Sequence, residues 1–350
     1  TVKGTKREAE AELACILGSI QSGSYVDPTK MSVGELLGKW REEVASVQVS
    51  AKTMERYGEH IDRLISGLGG IPLSRLQPLA IQAFYSGLRK SGHKRRDGGL
   101  SEQTLLHIHK VLTAALSQAV RWRLIASNPA DDVNPPRPAR VEMQTLDERE
   151  MCQLLGAAEG TALRVPTLLW LTTGLRRGEL LGLMWRDLDR DSKRLSVVRS
   201  LEETRKGLLL KTPKTNLSTR VLTLPPVVLE ALFRHELLQK QQRLAAGPAY
   251  QDNGLIFPDR NGRPQRPRNV TKAFAALVSR AKITPVSIHG LRHTHITELL
   301  RGGVHPKVVS ERAGHASVAF TLQRYAHALP DMQQDAADHA ERLVGNLMSK

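Results

Sequence analysis

Thr173-Gly174-Leu175-Arg176-Arg177-Gly178-Glu179 is the first of four short blocks in the last half of the chain that together decide how this sequence is interpreted. The other three are Lys214-Thr215, His289-Gly290-Leu291-Arg292-His293, and Gly314-His315 followed by Tyr325. One block alone is a weak signal, because short pairs of this kind recur by chance in many proteins. Their order, with the tyrosine last, makes the combined signal strong.

The side chains in these blocks suit an attack on a phosphodiester without a metal ion. Such an attack needs neutralised phosphate oxygens, a nucleophile in line and a proton for the leaving oxygen. Arg176 and Arg292 are the candidates for holding the phosphate, because a planar guanidinium can contact two oxygens at once. Glu179 lies one helical turn after Arg176 and can orient its guanidinium, although an ordinary surface ion pair is the alternative.

A lysine in a turn between two predicted strands is the candidate proton donor. Lys214 lies in Lys211-Thr212-Pro213-Lys214-Thr215-Asn216, where a mobile hairpin can bring it to a leaving 5′ oxygen. Lys211 is the competing candidate, and a solvated turn without function is a third interpretation.

The histidines of the third block also allow a metal hypothesis. His289, His293 and His295 include pairs at helical spacing, but no glutamate follows the first histidine and no third ligand is obvious. We therefore predict no metal, and we predict that His293 and His295 are packing or surface residues.

In order and spacing, the four blocks resemble the catalytic set of the tyrosine recombinases, the lambda-type phage integrase family. The resemblance extends, more loosely, over nearly the whole chain. It favours Arg176 over Arg177 as the phosphate clamp, and the pattern Lys-Thr-x-x-Ser-x-Arg from Lys214 favours that lysine over Lys211. It also implies a catalytic set of Arg176, Lys214, His289, Arg292, His315 and Tyr325, supported by Glu179.

The resemblance implies a site-specific recombinase that needs no cofactor. Tyr325 would attack DNA, leave a 3′-phosphotyrosine and free a 5′-hydroxyl, so that strands can be rejoined without ATP. The implied partners are double-stranded DNA attachment sites, a homotetramer on that DNA, and accessory DNA-bending or directionality proteins. A type IB topoisomerase is the nearest alternative, but those enzymes usually carry lysine where this chain has His289. A DNA-binding factor without catalysis is the other alternative, and it would be expected to lack part of the set.

The composition agrees with a partner that carries negative charge. The 350 residues include 51 Lys and Arg against 35 Asp and Glu, which gives a net charge of +16. Residues 30–140 hold 17 basic and 10 acidic side chains, and residues 141–350 hold 31 and 21, so the excess is spread along the chain. Nucleic acid is the commonest partner of such a protein, although a merely basic protein is the alternative.

Targeting signals and cysteine chemistry are not indicated. The longest apolar stretches are shorter than a membrane span requires, and no secretory signal precedes them. We therefore expect an intracellular protein, and the resemblance implies the cytoplasm of a bacterial host, at the nucleoid. Cys15 and Cys152 lie on different segments, so neither a disulfide framework nor a zinc site is predicted.

The periodicity predicts a mainly α protein of the α+β class, with a helical first domain and a mostly helical second domain that carries a small three-stranded antiparallel sheet. The resemblance implies what the four predicted segments are: 1–29, a remnant helix of an arm-type DNA-binding domain in a truncated chain; 30–133, a helical core-type DNA-binding domain; 134–144, a basic proline-rich linker; and 145–350, the catalytic domain. The three prolines of Asn134-Pro135-Pro136-Arg137-Pro138-Ala139-Arg140 disfavour helix and strand and mark the boundary.

Local signals fix several elements within these segments. Ser50, Ser101 and Thr145 are predicted helix caps, and 195–198, 207–210 and 220–224 are the predicted strands. Residues 326–347 are predicted to form an amphipathic helix that docks on its own domain or on a neighbouring protomer.

Two basic segments are predicted to contact backbone phosphates, because clustered cations in flexible segments suit a polyanion. A solvated loop is the alternative for the first of them. The predicted contact residues are Arg89, Lys90, Lys94, Arg95 and Arg96 of the loop, with Arg137 and Arg140 of the linker.

Overall fold

A computed structural model describes residues 5–21, 29–92, 98–139, 144–212 and 219–325, together with 337, 338, 340–342 and 344. The chain divides into two compact units, Thr1–Val141 and Glu142–Lys350. Both units are built mainly from helices, with short antiparallel strands in the second, as the periodicity predicts.

The regular elements described in the first unit are helices, apart from one isolated β-bridge between Ser32 and Pro72. Its helices are α1 (Lys6–Gln21), α2 (Val33–Trp40), α3 (Ser46–Gln48), α4 (Ala51–Leu68), α5 (Pro78–Ser91) and α6 (Glu102–Arg121), with a π-helical turn, Arg41–Ala45, before α3. The apolar residues of α2 and α6 recur at helical spacing, and the faces they form are buried and pack with α4 into one core. Ser50 and Ser101 cap α4 and α6 as predicted, because each hydroxyl accepts the backbone N–H three residues ahead.

The second unit carries the remaining helices around a separate apolar core. They are α7 (Glu148–Ala158), α8 (Arg164–Thr173), α9 (Arg177–Leu181), α10 (Pro226–Ala246), α11 (Pro267–Ala281), α12 (Ile288–Arg301), α13 (Pro306–Ala313) and α14 (Val318–Tyr325). Trp170 of α8 packs edge-on against Phe274 of α11, with 5.6 Å between ring centroids. Helices α8 and α12 also lie against each other, which brings the first and third sequence blocks together.

Two small sheets replace the one that was predicted. Strands β1 (Leu188–Asp189), β2 (Arg194–Val197) and β5 (Arg220–Thr223) form an antiparallel sheet in the order β1-β2-β5. Strands β3 (Ser200–Thr204) and β4 (Gly207–Lys211) form a separate antiparallel hairpin. The predicted membership was therefore wrong, since β4 pairs with β3 and not with the other two predicted strands. Strand β3 reads Ser-Leu-Glu-Glu-Thr, which lacks the apolar alternation that marks a strand.

The N-cap of α7 also differs from the predicted residue. Asp147, not Thr145, is the N-cap: its carboxylate accepts the Glu150 N–H at 2.7 Å, and Glu150 accepts the Asp147 N–H in return. Both positions match the capping-box pattern, since Glu148 lies three residues after Thr145, but the box that forms is the one between Asp147 and Glu150. The predicted helix over 326–347 lies mostly outside the described residues, among which 337, 338, 340–342 and 344 are helical.

Candidate active site

The described members of the predicted set lie at helix ends or along α12, all in the second unit. Arg176 precedes α9, and His289 and Arg292 belong to the first turns of α12. His315 follows α13, and Tyr325 is the last residue of α14. Lys214 lies outside the described residues. Lys211, its competitor, ends β4 and forms an ion pair with Glu202 of β3.

Glu179 is a buried carboxylate held between two arginines. It accepts from Arg176 Nη1 at 2.7 Å and from the Arg176 backbone N–H at 2.9 Å. Arg220 of β5, which is also buried, donates Nη1 and Nη2 to the two oxygens of Glu179 at 3.2 and 2.8 Å. Burial alone raises the pKa of Glu179, but the hydrogen bonds and charges of Arg220 and Arg176 outweigh it and bring the pKa to about 2. Glu179 is therefore ionised at neutral pH, and its second partner, Arg220, was not predicted.

Arg292 is almost fully buried, with 2% of its surface exposed. Its Nη1 donates to the Gly174 carbonyl at 2.7 Å, and its Nη2 donates to the Ala313 carbonyl. Arg176 Nη2 donates to the next carbonyl, that of Gly314, at 2.9 Å. Burial, then the charge of Arg176, lowers the pKa of Arg292 to about 9, so this guanidinium stays charged at neutral pH.

Glycines shape the backbone that receives these two arginines. Gly174 ends α8 and Gly314 ends α13, both in the left-handed region with φ of 63° and 64°. A Cβ on Gly174 would lie 2.7 Å from the His295 ring, and one on Gly314 would lie 3.0 Å from Arg220 Nη1. Only glycine combines that backbone with the available space. The last carbonyls of the two helices carry partial negative charge, which favours the cations placed there.

Tyr325 is buried, and its hydroxyl forms a hydrogen bond with His293 Nδ1 of α12. The two rings lie against each other with 5.4 Å between centroids. Burial raises the pKa of Tyr325 to about 12, although the charges of Arg292 and Arg324 oppose that rise. The prediction that His293 is a packing or surface residue misses this contact. The only signal in the sequence that could have pointed to His293 is its position directly after Arg292.

The other histidines differ in what they contact. His315 Nδ1 bonds to the Thr321 hydroxyl at 2.7 Å, and its ring lies 6.3 Å from that of Tyr325. Burial and the neighbouring arginines lower the pKa of His315 to about 4. His289 is exposed, and its ring meets His293 edge-on at 4.5 Å. His295 is buried, and its Nδ1 bonds to the Leu171 carbonyl at 2.9 Å, which agrees with a packing role.

The described residues of the two predicted phosphate-contact segments belong to the first unit. Lys90 and Arg137 are exposed, whereas Lys94, Arg95, Arg96 and Arg140 lie outside the described residues. Arg89 donates Nε and Nη2 to the Glu102 carboxylate at 2.6 and 3.1 Å. Its guanidinium is therefore already held, and a phosphate contact would have to be shared with Glu102.

Within the described ranges, no group of three or more His, Cys, Asp and Glu side chains is placed to hold a metal ion. No helix in the described part of the chain is both long enough and apolar enough to cross a bilayer.

A mostly helical unit in which arginines, histidines and a tyrosine meet in this way has the features of a class of DNA strand-cleaving enzymes, the tyrosine recombinases. The family model described as Phage integrase family matches residues 144–332, more than half of the chain. The chain therefore belongs to the phage integrase family and is a site-specific DNA recombinase.

Relatives match over most of the chain. A tyrosine recombinase XerC-like protein of Caldanaerobacter subterraneus subsp. tengcongensis is 29% identical over 95% of this chain and 89% of its own. The ICEBs1 integrase of Bacillus subtilis is 27% identical over 70% of this chain and 67% of its own.

Solved structures share the fold. The Tn1549 transposon integrase in complex with transposon right end DNA has a TM-score of 0.75 and 22% identity, covering 90% of this chain and all of that chain. A lambda integrase dimer bound to a COC′ core site has a TM-score of 0.63 and 20% identity, covering 84% of this chain and 95% of that chain.

Proposed function

We propose that this recombinase cuts and rejoins attachment-site DNA with Tyr325 as the nucleophile, through a 3′-phosphotyrosine. The observation that carries the proposal is that Arg176, Arg292 and Tyr325 come from three separate segments and lie together. Arg176 and Arg292 donate to the adjacent carbonyls of Gly314 and Ala313. Tyr325 contacts α12, the helix that carries Arg292. Packing alone does not require two arginines and a tyrosine to be grouped in this way.

Arg176 and Arg292 are proposed to hold the scissile phosphate. Glu179 and the helix-end carbonyls fix both guanidiniums before DNA arrives, so little reorganisation is needed when charge develops on the phosphate. The Arg176 side chain is 41% exposed, which leaves it available to a ligand. Removing one such donor typically costs about 10²-fold to 10³-fold in rate.

Two histidines and a lysine complete the proposed machinery. In the tautomer whose Nδ1 accepts from the Thr321 hydroxyl, the neutral His315 carries its proton on Nε2 and can donate it to a phosphate oxygen. His289 is exposed on the first turn of α12 and is proposed to donate to the same phosphate. Lys214 is proposed to protonate the leaving 5′ oxygen, which rests on the sequence pattern alone.

The assembly and its surroundings are also proposals. A lambda integrase tetramer bound to a Holliday junction is among the similar structures, with a TM-score of 0.62 and 19% identity. We infer that this chain likewise works as a homotetramer on two duplexes, with accessory DNA-bending or directionality proteins as further partners. The proposed location is the bacterial cytoplasm, at the nucleoid. The basic loop and linker residues predicted from the sequence are the proposed phosphate contacts.

Tyr325→Phe tests the proposal, because the change removes only the phenolic oxygen. The substrate is a nicked suicide duplex, selected from a randomised library by its covalent capture on the wild-type protein. A denaturing gel should show no covalent protein–DNA band for Tyr325→Phe, while DNA binding stays unchanged. Tyr250→Phe is the matched control, since the hydroxyl of that tyrosine accepts from Gln239 of α10, outside the catalytic set, and it should retain the band. A band that survives Tyr325→Phe would contradict the assignment.

A further inference from the structure

His293 is a buried histidine of α12 that the catalytic set drawn from the sequence does not include. Its Nδ1 is hydrogen bonded to the Tyr325 hydroxyl, and no other side chain in the described ranges bonds to that hydroxyl. We propose that His293 accepts the proton of Tyr325 as the phenolic oxygen attacks phosphorus, and returns it when the strand is rejoined. The inference rests on the proposed role of Tyr325 as the nucleophile.

The hydrogen bonds decide which atom carries the proton. His293 Nε2 is buried and has no hydrogen-bond partner among the described residues. If Nδ1 carried the ring proton, both Nε2 and the Tyr325 O–H would be left without partners. If Nε2 carries it, the tyrosine O–H donates to Nδ1 and only one buried N–H stays unmatched. Since each unmatched buried group costs free energy, the second arrangement is favoured.

The surroundings keep His293 uncharged and ready to accept. Burial, followed by the charges of His289, Arg324 and Arg292, lowers the pKa of His293 to about 3. The Tyr325 oxygen becomes far more acidic as its bond to phosphorus forms. Transfer during attack therefore requires only an acceptor whose pKa lies between that of the free phenol and that of the attacking oxygen. A bound phosphate adds negative charge beside the ring and favours its protonated form.

The proposed step balances without another reactant. The Tyr325 oxygen forms a bond to phosphorus, and the bond from phosphorus to the 5′ oxygen breaks. The tyrosine proton moves to His293 Nδ1, and the leaving oxygen takes a proton from the general acid, for which Lys214 is the candidate. On rejoining, a 5′-hydroxyl attacks phosphorus and returns its proton to the deprotonated general acid, the phenolic oxygen leaves, and protonated His293 gives the tyrosine its proton back.

The neighbouring histidines are less suited to this role. His315 Nδ1 is occupied by the Thr321 hydroxyl, and His289 contacts the His293 ring rather than Tyr325. Only His293 has a ring nitrogen on the phenolic oxygen among the described residues. It also lies directly beside Arg292, so a proton acceptor and a phosphate clamp come from adjacent residues of one helix.

His293→Asn tests whether the ring accepts a proton or merely positions the tyrosine. An asparagine can accept a hydrogen bond from Tyr325 near the Nδ1 position, but it cannot become protonated. We expect single-turnover cleavage of the selected suicide duplex to fall by about 10²-fold to 10⁴-fold, the range of general base catalysis, with unchanged DNA affinity. His235→Asn is the matched control: this half-buried histidine bonds to the Ile256 carbonyl away from the site, and its variant should cleave at the wild-type rate.

Two results would contradict this proposal. A His293→Asn enzyme that cleaves within about threefold of the wild type, or faster, would overturn the proposal, because positioning alone would then suffice. If this variant fails to fold, nitrogen NMR of histidine-labelled wild-type protein decides, with the His293 signal assigned by comparison with Tyr325→Phe. A bare Nδ1 and a protonated Nε2 support the proposal, and a protonated Nδ1 overturns it.

Failure of this inference can be distinguished from failure of the proposed function. If wild-type protein captures DNA through Tyr325 but His293→Asn is fully active, the recombinase assignment stands and only the proton acceptor is wrong. If the covalent band survives Tyr325→Phe, the nucleophile assignment itself fails.

Discussion

Glu179→Gln isolates the part of the site that holds the arginines in place. The change keeps the size of the side chain and removes one negative charge from between Arg176 and Arg220. Arg176 can turn to water, since its side chain is 41% exposed, but the Arg220 side chain is only 7% exposed and would keep its charge without a counter-ion. We expect a large loss of stability in the second unit together with a slower enzyme.

The size of the loss follows from the pKa of Glu179. That pKa is about 2 in the folded protein against an ordinary value of 4.5, and the difference corresponds to about 3 kcal/mol of stability. Because the folded-state pKa is depressed, this stability is present above pH 4.5 and is lost as the pH falls towards 2. Breaking a buried ion pair costs about 3 to 5 kcal/mol by mutation, which is the same scale.

Urea unfolding followed by tryptophan fluorescence measures the loss. Trp170 and Trp185 lie in the second unit, so Trp40→Phe and Trp122→Phe in the background leave fluorescence that reports this unit alone. At pH 7, Glu179→Gln should lose about 3 kcal/mol. Between pH 4.5 and pH 2 the wild type should approach the variant, because protonation removes the same charge.

Glu236→Gln is the control for this measurement. Glu236 pairs with Arg190 and Lys240, whose side chains are 48% and 64% exposed, so water replaces the lost contacts. We expect a loss of about 1 kcal/mol or less. Equal losses for the two variants, or a Glu179→Gln protein as stable as the wild type at pH 7, would refute the view that Glu179 is a buried anchor for the arginines.

Three further predictions concern the chemistry and the DNA. Arg176→Ala and Arg292→Ala should each lower single-turnover cleavage by about 10²-fold or more, and a cleavage rate near that of the wild type would remove either residue from the phosphate clamp. Replacing Lys94, Arg95 and Arg96 together by alanine should weaken binding to all duplexes. It should also reduce the slope of log affinity against log salt concentration by about 0.9 per lost phosphate contact. An unaltered slope would show that this loop is solvated and does not contact phosphates. Chelation by EDTA should leave cleavage unchanged. Activity that is lost in EDTA and restored by zinc or magnesium would support the alternative that the histidines bind a metal.

Helices were more predictable from the sequence than sheet pairing. The apolar faces of α2 and α6 and the caps Ser50 and Ser101 depend on residues a few positions apart, so local spacing predicts them. Strand partners depend on contacts between distant segments. Strand β3, with its two glutamates, carries no apolar alternation, and therefore its pairing with β4 was not visible.

The same distinction holds within the site. Motif order predicted Arg176, Arg292 and Tyr325, and the structure places them in one unit, while their catalytic roles stay proposals. The contact of His293 with Tyr325 joins α12 to α14, and the pairing of Arg220 with Glu179 joins β5 to α9. Neither contact follows from local spacing, because tertiary packing alone brings these elements together.

The carbonyls at the ends of α8 and α13 bear on how this enzyme can be altered by engineering. Since Gly174, Ala313 and Gly314 hold the arginines through main-chain oxygens, side chains around them other than Glu179 can be exchanged without removing an acceptor. A library that diversifies positions outside the catalytic set can therefore keep the arginines in place, provided that both glycines and Glu179 are left untouched. Retargeting to a new recognition sequence is best attempted under those restrictions.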